Sequence, residues 1–213
     1  MAITTAQANA TASDAQAIVL NMIYKTIDLE TRMVDLTKLS MAAPVTGRLG
    51  PVLGVIAEII VIGAIATLAT DLWQRLLQAI GVPPANWGLV GRWVAGFSRG
   101  VFVHRSISAA PEIPGEVAIG WAFHYAVGIA YAGLYLAIMR LGFGSAPTLR
   151  SALVFAIVLL IAPWFVMQPA LGLGFMATNT PHPAAFRAVS VSVHAVFGLG
   201  LYFGAAAWRV VAL

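Results

Sequence analysis

No cysteine occurs in the chain, which excludes disulfides, thiolate metal sites and cysteine nucleophiles together. Charge is almost as scarce: Lys, Arg, Asp and Glu make up 9% of 213 residues, against roughly 25% in an average soluble domain. So few charges could not cover a soluble globule of this size, and lipid is the natural solvent for a chain that is 60% hydrophobic. The 12 basic residues are scattered singly. Nucleic acid is therefore not an expected partner, and the formal net charge of +4 points to anionic lipid headgroups. No HExxH, CxxC or ExxH spacing announces a metal site. Gly172-Leu173-Gly174 lacks the following lysine and the preceding strand of a phosphate loop. Met1 to Ala12 has neither a basic nor an apolar region, so it does not read as a secretory signal.

What is present organises into two parts. Residues 1–50 form a polar extension. Within it, Ser13 and Gln16 suggest a capping box, and Ile18, Met22, Leu29, Met33 and Leu36 recur at helical spacing. The predicted element is an amphipathic helix over 14–39, broken by Pro44 and Gly47. Residues 51–213 form the membrane domain, with spans predicted at about 51–80, 118–139, 151–168 and 188–208. Between the first two spans, Pro83-Pro84 ends a helix, and Trp87, Val90, Val94 and Phe97 make an apolar stripe opposed by Arg92 and Arg99. A short helix lying in the headgroup layer is expected there. The fold class is all-α: a bundle of four transmembrane helices with an N-terminal amphipathic helix and a short interfacial helix in the first loop.

Threading the spans brings polar residues to one end. His124 and His194 each sit about six residues inside a span that starts on the long-loop face, hence ~9 Å deep. Asp71 ends span one and Gln168 closes span three on that face, with Glu116, His104 and Arg187 in the flanking segments. Ionisable groups at such depth turn inward and find partners. The two histidines with carboxylates could hold a divalent metal, relay protons or ligate haem; no cofactor is required by the sequence. The simpler reading has each histidine hydrogen-bonded to a neighbouring helix and Asp71 paired with Arg75 or Arg187. Gly198, Gly200 and Gly204 favour close helix packing in span four, within the chain or across a homodimer. Glu58 lies ~20 Å toward the other face from Asp71, either near the headgroups or against a group on another chain.

Several stretches resemble a bacterial family of unknown function, the domain-of-unknown-function family twenty-nine thirty-eight. They are Ala66-Thr67 through Asp71-Leu72-Trp73, Gly81-Val82-Pro83-Pro84, Val90-Gly91-Arg92-Trp93, Pro114-Gly115-Glu116, His124-Tyr125, Met167-Gln168-Pro169 and Phe197-Gly198-Leu199-Gly200-Leu201-Tyr202. The resemblance covers about residues 60–213. It implies a compact four-span inner-membrane protein whose pattern includes Asp71, His104, Glu116, His124, Gln168, Arg187 and His194, and it implies no reaction, ligand or cofactor. The extension and the charge at Glu58 depart from that pattern.

Three functions are expected on these grounds. The first is a non-catalytic subunit that docks on and stabilises a larger membrane complex, with the lipid bilayer and other membrane subunits as partners. Docking would use Ile18, Met22, Leu29, Met33, Leu36 and Glu58. The second is a membrane-embedded enzyme or metal-binding protein using a cluster of His124, His194, Asp71 and Glu116, with His124 and His194 as the metal ligands. The third is a small proton-coupled transporter or channel. The expected location is the bacterial inner membrane, multi-pass, with cytoplasmic termini because Lys25, Arg32, Lys38 and Arg48 precede the first span.

Overall fold

The computed structural model describes residues 49–211. The predicted helix over 14–39, with Ile18, Met22, Leu29, Met33 and Leu36, lies outside them. The described residues are helical and contain no strand. The main elements are α1 (Leu49–Ala79), α2 (Trp87–Gly96), α3 (Glu116–Ala137), α4 (Leu149–Val158) and α5 (Pro183–Val211).

Four stretches are long and apolar enough to cross a bilayer: Gly50–Ala79, Glu116–Gly142, Leu149–Ala170 and Pro183–Val211. They match the predicted spans to within a few residues, and the protein is a multi-pass membrane protein. Outward-facing Val52, Leu72, Leu134, Val154, Ile157 and Phe203 are exposed, which lipid tolerates and water would not.

Local chemistry sets the boundaries. At the end of α1, Gly81 takes φ +90. Its N–H donates to Gln78 O, and Val82 N–H reaches Leu77 O, both at 3.0 Å. This is the paired closure that a left-handed glycine permits, and Pro83-Pro84 bars continuation. Asn86 caps α2 by accepting from Leu89 N at 3.2 Å. Thr148 and Ser151 form a reciprocal capping box that starts α4. In the third span Pro163 has no N–H to give, and the helix widens into a π-turn over Pro163–Met167. One extra residue in a turn rotates the remainder of the span by roughly a third of a revolution, and Gln168 comes immediately after.

Lipid offers no hydrophobic drive for helix association, so close packing through small residues must supply it. The dense core is built that way, from Ile62, Ala66, Ala132, Tyr135, Leu136, Ala152, Ala156, Leu201 and Ala205. α1 packs against both α3 and α5, and α4 packs against α5. A Cβ on Gly200 would stand 2.5 Å from Ala66 Cα, one on Gly204 3.4 Å from Ile62 Cα, and one on Gly198 2.9 Å from Ala152 O. The three glycines therefore pack within the chain, and Gly200 and Gly204 are buried against α1 instead of offering a dimer face.

Two further expectations are corrected. Arg92 does not face out opposite the apolar stripe: α2 packs along α3, with Gly88, Gly91, Arg92 and Trp93 buried. Glu58 is not waiting for another chain: Arg140, at the end of span two, donates to both its oxygens at 2.6 and 2.8 Å.

The side chain of Glu58 is 9% exposed and that of Arg140 44% exposed, so the pair is asymmetric. Arg140→Leu takes both side-chain hydrogen bonds from a buried carboxylate and is expected to cost about 2–3 kcal/mol. Glu58→Leu leaves an arginine able to reach the headgroups and should cost about 1 kcal/mol or less. Thermal unfolding of the two variants in detergent checks the order; equal losses would contradict it.

Candidate functional site

Toward the end of the bundle that carries the long loop, the four spans part around a cavity of about 770 Å³. α1 contributes Thr67, Thr70 and Gln74, α3 contributes Phe123, His124 and Tyr131, and the third span contributes Ala162, Met167 and Gln168. α5 adds Phe186, Ser190, Val193, His194 and Phe197, and α2 adds Trp87 and Trp93. Such a volume, with mostly apolar walls and few polar groups, matches a pocket for a small molecule.

Of the residues singled out in the sequence, His124, Gln168 and His194 meet on this wall. Asp71 stands behind His124: its Oδ1 lies 2.9 Å from His124 Nε2, and its Oδ2 accepts from Tyr125 OH at 2.8 Å. Pairing with Arg75 or Arg187 is thereby corrected. A carboxylate only accepts, so His124 donates to Asp71 through Nε2–H. Trp87 stacks on the imidazole with ring centroids 4.0 Å apart and fixes its plane. His194 is oriented by a different device: Nδ1 lies 2.9 Å from the carbonyl of Ser190 one turn earlier, so it donates there and Nε2 is the acceptor. Gln168 is 2% exposed, and its Oε1 is buried without a partner.

The remaining members brace the loops. Arg92, only 5% exposed, donates through Nε and Nη2 to both oxygens of Glu116 at 2.8 Å. Its Nη1 reaches the carbonyls of Ala110 and Ile107 at 2.6 and 3.3 Å. That hydrogen bond to Glu116 raises the guanidinium pKa, with burial opposing, and Arg92 stays charged. Glu116 Oε2 also accepts from Ile113 N at 3.0 Å. Arg187 Nε donates to Met176 O at 2.8 Å and closes the connection before α5. His104 is pinned through its backbone, its N–H donating to Ala170 O at 2.7 Å, while its ring Nε2 is buried without a partner.

Among the described residues no three His, Cys, Asp or Glu side chains come together in an arrangement that could hold a metal. His124 spends Nε2 on Asp71, and His194 spends Nδ1 on its own helix. Sequence reasoning also missed Tyr125, Trp87 and the inward face of Arg92. The Trp87 and His124 positions carry no shared spacing that marks them as neighbours, since the loop between them decides the contact.

Neither the curated proteins nor the solved structures contain a match to the chain. Residues 60–208 match the family described as "Protein of unknown function (DUF2938)", and this stretch holds every residue of the cavity wall and of the loop braces. By that match over more than half of its length, the chain belongs to the DUF2938 family.

Proposed function

We propose that this protein is a membrane-embedded binding protein that holds a small lipid-soluble molecule between its four spans. One observation carries the reading: a largely apolar cavity of about 770 Å³ with Gln168, His124 and His194 on its wall. A cavity inside lipid is open to the molecules that partition there, and a polar wall gives orientation to an otherwise greasy site. Asp71 and Tyr125 serve as positioning residues for His124, and the Arg92–Glu116 pair holds the loop helix that forms one side.

Filling the cavity tests this. Val193→Trp places a large ring on the wall, and the protein is expected to keep its fold. Gentle extraction, followed by mass spectrometry of the solvent-extractable fraction, should find the co-purifying molecule in the parent. In Val193→Trp it should be reduced roughly tenfold, the factor that a loss of ~1.4 kcal/mol gives. An identical small-molecule content in the two proteins would sink the reading.

A second reading is an accessory subunit of a larger complex. Its support is the amphipathic pattern of Ile18, Met22, Leu29, Met33 and Leu36, whose equal acids and bases from Lys25 to Lys38 disfavour simple adhesion to anionic lipid. The same purification reports on it through stoichiometric companion proteins, and deleting residues 1–45 should release them without blocking insertion. The proposed setting for both readings is the bacterial inner membrane with cytoplasmic termini, resting on Lys25, Arg32, Lys38 and Arg48 ahead of the first span.

A further inference from the structure

The cavity is a shaft with a closed floor and an open mouth. Its wall runs from Thr67 to Leu77 on α1 and from Ala185 to Phe197 on α5, distances of ~15 and ~18 Å along the helices at 1.5 Å per residue. Just below Thr67 it is closed, because α5 meets α1 where a Cβ on Gly200 would stand 2.5 Å from Ala66 Cα. At the other end it reaches the loops at residues 82–85 and 180–182, where Pro83, Pro84, Pro181 and His182 are exposed. Thr67 stands near the middle of the span Gly50–Ala79. The floor therefore lies in the hydrocarbon layer and the mouth at the level of the headgroups.

Unspent hydrogen-bonding capacity follows the same axis. Toward the mouth, Gln74 accepts from Ala85 N through Oε1 and keeps its amide N–H₂, while the His182 ring and the Trp87 indole N–H make no hydrogen bond. Deeper in, the Thr67 and Thr70 hydroxyls donate to carbonyls of their own helix, and Ser190 does the same on α5. The ring N–H groups of His124 and His194 go to Asp71 and Ser190, and Gln168 is only 2% exposed. Near the floor Tyr131 alone keeps an unspent donor, beside the apolar Val127, Leu159 and Phe197. Among the described residues no Asp, Glu, Lys or Arg lines the cavity. A charged headgroup finds no such partner inside and stays at the mouth.

We infer that the cavity takes the hydrocarbon chain of a membrane amphiphile, chain end toward the floor, with a hydrogen-bond-accepting headgroup at the mouth beside Gln74 and His182. A blind apolar depth below a donor-bearing mouth matches a molecule whose polarity changes the same way along its length. The inference rests on the binding reading above and names the ligand class for that same cavity.

The test uses the full chain reconstituted in phosphatidylcholine vesicles with a photoactivatable monoacylglycerol. Its diazirine is placed either at the end of the acyl chain or beside the ester, and a compact photoactivatable hydrocarbon serves as a third probe. Labelled residues are located by mass spectrometry, with and without an excess of unlabelled monoacylglycerol. Lipid-facing Val154 and Phe203 are labelled from the bilayer in proportion to probe, whereas labelling inside the cavity should be competed. The chain-end probe is expected to favour Val127, Leu159 and Phe197 over Leu77, Val82 and His182 by roughly tenfold, and the ester-side probe to show the reverse. Val127→Trp fills the floor, and Leu159→Trp does so from another span. Either should lower the competed chain-end labelling of Phe197 roughly tenfold. Competed labelling by the compact probe alone, or the same distribution for both monoacylglycerol probes, would overturn the class while leaving the cavity a binding site. No competed labelling of any cavity residue would overturn both.

Discussion

Gly91→Ala is expected to be among the most damaging single substitutions in the membrane domain, at about 3 kcal/mol, although it adds one methyl group. Gly91 on α2 sits against the backbone of α3, where an added Cβ would run into the carbonyl of Glu116 and stand 2.7 Å from Gly120 N. The contact is reciprocal: a Cβ on Gly120 would run into the carbonyl of Trp87. Backbone cannot swing aside as a side-chain end can, so the two helices must separate. Separation moves Trp87 off His124 and shifts the helix that Arg92 anchors on Glu116. Gly204→Ala is the control. Its Cβ would meet Ile62 Cα at 3.4 Å, an ordinary contact, and the expected change is within roughly 0.5 kcal/mol. Thermal unfolding in detergent compares the two; similar losses would mean that the α2–α3 contact is looser than described.

Asp71→Leu is the second large effect, at about 2–4 kcal/mol. The carboxylate satisfies two groups at once, His124 Nε2–H at 2.9 Å and Tyr125 O–H at 2.8 Å, and its loss strands both donors. Leaving a partly buried donor unmade costs more than deleting the whole interaction, so the double variant Asp71→Leu with Tyr125→Phe should recover part of the loss. Strict additivity of the two substitutions would show that the tyrosine does not share the carboxylate. The substitution also frees His124 to change tautomer, because the carboxylate alone holds its proton on Nε2.

Particular residues show how far the sequence reading reached. Four apolar runs bounded by Pro, Gly and Arg were enough to place the spans within a few residues, because segment length and lack of charge are one-dimensional properties. The convergence of Asp71, His124, Gln168 and His194 at one end was legible for a related reason. Alternate spans run in opposite directions, so depth comes from counting along each helix. Arg92 was misread because its loop helix was assumed to meet water. A buried ion pair puts the arginine on the inside, and the apolar-against-charged stripe then points the wrong way.

Rotation about each helix axis was the missing quantity. A transmembrane helix is apolar all round, so hydrophobicity does not mark the face that meets other helices. Glu58 and Arg140 are 82 residues apart in the chain, and no local pattern links them. Span number, the position of each span along the chain and the end of the bundle that each polar group approaches were thus legible in the sequence alone, since all three depend on composition along a line. Only the tertiary structure decided that Gln168 is left without a donor, that His124 and His194 spend their protons elsewhere, and that the spans part around a cavity. Those outcomes depend on backbone-to-backbone distances set by glycines and on the wide turn after Pro163, which exist only once the helices are packed.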